Sequence, residues 1–202
     1  VVVFGGGTAG VSAAYISAKK GLKTLVIEKA DVLGGSITQG LVVPSMKVNS
    51  ECINSEFFDD LKLFANKYNS RITYKDGNEA WFNPELLKIV LDDMLSSVGC
   101  KVLFSSYPSN IDYKDSFISK IEHKMLSLYI ESQYIVDATA DGKIFQLLNY
   151  NFQEKNEKQQ ATSLRFMLSN VNLKSFSEWI LSIDENRDIT TVDVQDNTIH
   201  LS

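Results

Sequence analysis

The stretch Val1-Val2-Val3-Phe4-Gly5-Gly6-Gly7-Thr8-Ala9-Gly10 constrains the fold more than any other. Four consecutive apolar, mostly β-branched residues read as a strand buried within a parallel sheet. Glycines follow at once, and Thr8 to Lys20 then carries a helical pattern with small residues at Ala9, Ala13, Ala14 and Ala18. Strand, glycine turn and helix, in that order, are the context in which Gly5-x-Gly7-x-x-Gly10 reads as a dinucleotide-binding fingerprint. Gly5 permits the tight turn, Gly7 lets a pyrophosphate approach the backbone, and Gly10 brings helix and strand close. The first helical turn, with Thr8 and Ala9, offers free N–H groups and the positive end of a dipole to phosphates.

A glycine triplet alone is weak evidence, and the next segment strengthens it. Leu22 to Ile27 is extended and mostly apolar and ends at Glu28-Lys29. An acid at the end of the second strand, about 20 residues past the glycines, can accept hydrogen bonds from an adenosine ribose. Lys29 beside it joins the candidate cofactor-binding residues.

Further along come Gly34-Gly35-Ser36-Ile37-Thr38 and, much later, Asp137-Ala138-Thr139-Ala140-Asp141-Gly142. With these two loops the chain resembles the FAD-dependent oxidoreductases that share the glutathione-reductase-type flavin domain. Closest is the branch of the fumarate reductase and succinate dehydrogenase flavoproteins. The resemblance covers roughly residues 1 to 170. It implies FAD as cofactor, contacted by Gly34, Gly35, Ser36 and Thr38 from one loop and by Ala138, Thr139 and Asp141 from the other. Glycines allow close backbone approach, and hydroxyls supply neutral donors. The family usually carries glycine where this chain has Ala140. If that position requires a positive φ, alanine costs about 1 kcal/mol or more.

The implied fold is α/β: a Rossmann-like FAD-binding domain in three layers. A parallel sheet carries helices on one face and an antiparallel β-meander on the other. The meander is legible in the period-two alternation between Ile111 and Glu131. Ser50 to Tyr68 predicts a helix with Ile53, Phe57, Leu61, Phe64 and Tyr68 on one face and Ser50 as its cap. Asn83-Pro84 opens another helix, with Asn83 as N-cap and Pro84 in the first turn. Leu87, Leu91, Met94 and Val98 form its seam, and Gly99 stops it. Cys100 to Ser105 follows as a strand, after which Ser106 and Tyr107 are adenine-side candidates by position. Asn69 to Phe82 reads as polar and turn-rich.

The 202 residues have room for one domain and part of another. The reading divides them into a dinucleotide-binding domain at 1–152 and the beginning of a substrate domain at 160–202, joined by the charged, glutamine-rich 153–160 linker. A strand from Thr162 to Leu168, a helix with Phe176, Trp179, Ile180 and Ile183 capped by Ser175, and a β-like Ile189 to Leu201 complete the chain. The formal net charge of -5 disfavours a nucleic-acid partner. No hydrophobic run approaches the ~20 residues of a membrane span. Cys52 and Cys100 give neither a disulfide framework nor a metal spacing. His123 reads as a solvated turn residue, Arg165 as a surface strand residue that can clamp a carboxylate, and His200 has no assignable role.

The reading is therefore an enzyme: an FAD-dependent oxidoreductase that moves a hydride to or from a small-molecule substrate, in the cytoplasm, with homo-oligomerisation left open. No catalytic residue is assigned. The alternatives are a thiazole-synthase-like protein that uses the same nucleotide site for non-redox chemistry, and a non-catalytic nucleotide-binding module. Val1 already lies inside a strand, and the family's return segment beside the flavin ring has no counterpart. The chain is therefore expected to be an N-terminal portion, inactive in isolation, that binds the ADP half of FAD better than the flavin half.

Overall fold

The computed structural model describes residues 1–46, 55–68, 73–75, 79–151, 164–183, 192–195 and 198–201. Two compact units divide the chain: Val1–Gln39 with Val43–Gln153, and Gly40–Val42 with Glu154–Ser202.

The first unit is built on a four-stranded parallel sheet. Its strands are β1 (Val2–Phe4), β2 (Leu25–Ile27), β6 (Lys101–Leu103) and β10 (Ile135–Asp137), in the order β10-β1-β2-β6. Phe4 pairs level with Ile27 on one side and with Asp137 on the other. The strands are only three residues long, yet β1 is buried throughout and lies inside the sheet, so it is the buried parallel strand that the sequence predicts.

Alternation along these strands sorts the core into two clusters. Val3 and Val26 face α1 (Thr8–Lys19), α2 (Ser55–Lys67) and α3 (Pro84–Ser97). That layer is filled by Val11, Ala14, Tyr15 and Ala18 of α1, by Phe57, Leu61 and Ala65 of α2, and by Leu87, Val90, Leu91, Met94 and Leu95 of α3. Each fully buried large aliphatic side chain there contributes roughly 1.5–3 kcal/mol. Tyr15 meets Phe57 edge-on at 5.8 Å between ring centroids, and Lys19 pairs with Glu56 at 2.9 Å, joining α1 to α2. The α2 stripe holds as predicted at Phe57 and Leu61, with Phe64 and Tyr68 partly buried. Ser50, Cys52 and Ile53 lie outside the described residues.

Val2, Phe4 and Ile27 face the opposite way, toward Ile111, Ile121 and Ile144. Those come from the expected meander, β7 (Ser106–Tyr113), β8 (Phe117–His123) and β9 (Leu126–Ser132), and from the short α4 (Lys143–Leu147). Sheet, helices on one face and meander on the other make the three-layer α/β arrangement. The first unit also holds a small antiparallel sheet of β3 (Pro44–Met46), β5 (Glu79–Trp81) and β4 (Thr73–Lys75), in that order. The turn-rich reading of 69–82 misses this pairing, because three-residue strands are too short for alternation to show.

The second unit contains β11 (Phe166–Leu168), α5 (Leu173–Ile183), β12 (Val192–Gln195) and β13 (Thr198–Leu201). Its antiparallel sheet runs β11-β13-β12. The α5 cap is Asn172 rather than Ser175. The Ser175 N–H donates to Asn172 Oδ1 at 3.1 Å, and Ser175 is already inside the helix. The 153–160 linker lies outside the described residues.

Candidate cofactor site

The site grows from the end of β1. Gly5 turns the chain with φ 95°, in the left-handed region that favours glycine. A Cβ there would run into the Ala138 carbonyl, and one on Gly10 would run into the Gly5 carbonyl. These two glycines are therefore demanded by the protein's own packing. Gly7 differs. Its φ of -71° and ψ of -173° suit any residue, and a Cβ would meet nothing within 4 Å. Gly7 is the N-cap of α1, yet no side chain caps that helix and its first turn holds no acid. Thr8 and Ala9 are exposed there and Gly10 is buried. Free N–H groups, a positive dipole end and open space thus meet at one point, which is what a diphosphate needs.

Glu28, at the end of β2, is 8% exposed and turned toward this same turn. One carboxylate oxygen accepts the Gly6 N–H, and the other accepts the Ala30 N–H at 2.7 Å. Each oxygen retains acceptor capacity for a ribose hydroxyl. Gly6 is the residue that sequence reasoning overlooked. A Cβ there would strike Leu33 Cδ2 at 2.6 Å and crowd Glu28. The overlooked signal is the uninterrupted glycine triplet itself.

The Gly34-Gly35 loop closes over the turn. Gly34 N–H donates to the Gly6 carbonyl at 2.8 Å, and a bridge joins Gly7 to Gly34. Gly34 (φ 102°) and Gly35 (φ 55°) both lie in the left-handed region, and a Cβ on Gly35 would sit 3.2 Å from Gly7 Cα. Ser36 is exposed. Thr38 is fully buried and its hydroxyl donates to the Leu33 carbonyl at 2.6 Å, so its side chain holds the loop's shape and has no surface to offer a ligand. Lys29 stands exposed beside Glu28.

On the other side of β1, Ala138 N–H donates to the Phe4 carbonyl at 2.8 Å, which sets Ala138 against Gly5. Thr139 is half-buried, Asp141 is exposed, and Asp137, Ala140, Asp141, Gly142 and Phe145 line an open depression. Ala140 has φ 69°, so alanine does occupy a left-handed position where the family's usual glycine carries no penalty. Asp137, which sequence reasoning did not select, organises this loop through both carboxylate oxygens.

The adenine-side candidates separate. Ser106 is 1% exposed, with its Oγ 2.7 Å from the Phe104 carbonyl oxygen and 2.7 Å from His123 Nδ1, whereas Tyr107 is exposed. His123 is accordingly half-buried at the end of β8 and hydrogen-bonded, not a solvated turn residue. Cys100 is buried, and burial pushes its thiol up to about 11, which keeps it a neutral packing group. Arg165 precedes β11 and His200 lies in β13, both in the second unit.

These groups fit an adenine dinucleotide: an uncapped helix start over an open glycine, a second glycine loop bridged to it, and a carboxylate turned toward the turn. A family model described as FAD dependent oxidoreductase matches residues 1–200, and the chain belongs to that family. Its cofactor is FAD. The match runs past residue 170, where the loop resemblance ends. Thiamine thiazole synthase of Archaeoglobus fulgidus is 28% identical over 151 residues, covering 69% of this chain and 55% of that protein. The crystal structure of Thermovibrio ammonificans THI4 is similar with a TM-score of 0.55 at 17% identity, covering 73% of this chain and 60% of that one. BexE is similar over 99% of this chain and 42% of its own, with a TM-score of 0.62 at 13% identity. The chain spans little more than half the length of the curated relatives it matches, 55% and 59%. Among the described residues, no helix is long and apolar enough to cross a membrane.

Proposed function

We propose that the chain is the dinucleotide-holding part of an enzyme that moves a hydride between FAD and a small-molecule substrate. The observation that carries this reading is the amino end of α1, uncapped, free of acids and open above Gly7. When bound, FAD supplies the redox centre, and the protein binds and orients it. The N–H groups of Gly7, Thr8 and Ala9 hold the diphosphate, and Glu28 accepts a ribose hydroxyl. Gly34, Gly35 and Ser36 close over the phosphates from one side, while Ala138, Thr139 and Asp141 form the other wall. Within the family, the branch of the fumarate reductase and succinate dehydrogenase flavoproteins is supported by the Gly34-Gly35 and Asp137-Ala138-Thr139 loops. Two cysteines without a disulfide framework support a cytoplasmic location.

A second reading has its own support, because curated relatives are thiamine thiazole synthases. On that reading the same nucleotide site serves non-redox chemistry. The test is to purify the full-length protein, record its visible spectrum, and titrate it with FAD and with ADP. Flavin absorption bands with saturable binding of both ligands are expected. Nucleotide binding in a colourless protein favours the second reading, and binding of neither ligand contradicts both.

A further inference from the structure

We propose that Asp137 is a positioning residue for the cofactor site: its carboxylate locks the 138–142 loop in the shape that walls the glycine turn opposite Glu28. This rests on the glycine turn being a dinucleotide site. The glycine turn leaves β1 between two neighbouring strands, and each of those strands ends at a carboxylate. Glu28 follows Ile27, which is level with Phe4 in β2, and Asp137 is itself level with Phe4 in β10. Both carboxylates accept backbone N–H groups rather than pairing with a cation, Glu28 from Gly6 and Ala30, Asp137 from its own loop.

The Asp137 network is extensive. Oδ1 accepts the Thr139 N–H at 3.0 Å and the Thr139 hydroxyl at 2.7 Å. Oδ2 accepts the Ile144 N–H at 3.1 Å and the Phe145 N–H at 3.3 Å. The Thr139 Oγ1 in turn accepts the Lys143 N–H at 2.8 Å. One side chain therefore ties the start of the loop to the start of α4. The loop needs such a tie, because Ala140 at φ 69° is disfavoured for an L-residue and relaxes if released. Relaxation is felt at the glycines: Ala138 packs on Gly5, and a Cβ on Gly10 would lie 3.2 Å from Ala138 Cβ. Asparagine cannot replace the carboxylate in either amide orientation, since its NH2 would face the Ile144 and Phe145 N–H groups or, flipped, the Thr139 N–H, donor against donor.

The test uses the full-length protein, with FAD affinity read by quenching of flavin fluorescence and folding read by thermal unfolding. Asp137→Asn is expected to raise the FAD Kd by about tenfold, the loss of one charge-assisted interaction, and to speed hydrogen exchange at Thr139 and Ile144. Thr139→Val removes the hydroxyl bridge to Asp137 and Lys143. A rise of about threefold is expected, with faster hydrogen exchange at Lys143 and Ile144 as the mark of a loosened loop rather than of a lost ligand contact. Asp60→Asn is the stability control. It removes the second carboxylate partner of Lys19, which keeps Glu56, and weakens the acceptor of the Tyr15 hydroxyl at the far end of α1, about 16 Å along the helix from Thr8. It is expected to lower Tm slightly with the FAD Kd unchanged. If Asp137→Asn binds FAD with the wild-type Kd, Asp137 only supports the fold and the proposal falls, while the dinucleotide reading stands. If that variant does not fold, an unchanged Kd in Thr139→Val overturns the proposal. If the wild-type protein binds neither FAD nor ADP, the dinucleotide reading fails first and the proposal with it.

Discussion

Two helices of this chain begin in opposite ways. α3 is closed by its own sequence: Asn83 Oδ1 accepts the Glu85 and Leu86 N–H groups at 2.9 and 3.2 Å, Pro84 needs no partner, and Glu85 adds an acid to the first turn. α1 has none of these. Its N-cap is a glycine, no side chain reaches its first N–H groups, and no acid offsets its dipole. Both are well-packed helices under the same sheet, so packing does not explain the contrast. A helix end closed by its own cap offers a ligand nothing, whereas one left uncapped beside a non-demanded glycine is open to an anion.

The largest expected effect sharpens this comparison. Gly10→Ala places a Cβ on the Gly5 carbonyl, and denaturant unfolding should show a loss of about 3 kcal/mol, the upper range for overpacking, together with lost FAD binding. Asn83→Ala should cost about 1 kcal/mol and leave FAD and ADP affinity untouched; a change in affinity would break the distinction between the two helix starts. The smallest effect is at the opposite wall. Ala140→Gly should gain about 0.5 kcal/mol, since relief of left-handed strain slightly exceeds the entropy that glycine loses on folding, and a matching rise in Tm checks it.

The legible parts are those governed by local rules. The Gly5-x-Gly7-x-x-Gly10 spacing, the Asn83-Pro84 start and the Gly99 stop (φ 71°) all show in short stretches of sequence, even though Gly5 also answers to the distant Ala138 carbonyl. The three-layer fold was implied by the resemblance of the two cofactor loops, and the alternation through β8 and β9 agreed with it. What escaped depends on distant partners. His123 meets Ser106 across the β7–β8 pairing, and Gly6 matters because Glu28 and Leu33 return to it. Thr38 looked like a hydroxyl for the cofactor, but the Leu33 carbonyl takes it. Asp137 resembles a plain strand end in sequence, since the N–H groups of Ile144 and Phe145 that it gathers lie beyond the turn.

The central claim is that the open space above Gly7 belongs to the diphosphate of the cofactor. Gly7→Ala tests it most directly, because neither the backbone angles nor any neighbour of Gly7 forbids a methyl group. In the full-length protein this variant should unfold at the wild-type temperature while its affinity for FAD and for ADP falls by about tenfold or more. Unchanged affinity for both, in a variant of unchanged stability, would contradict the account.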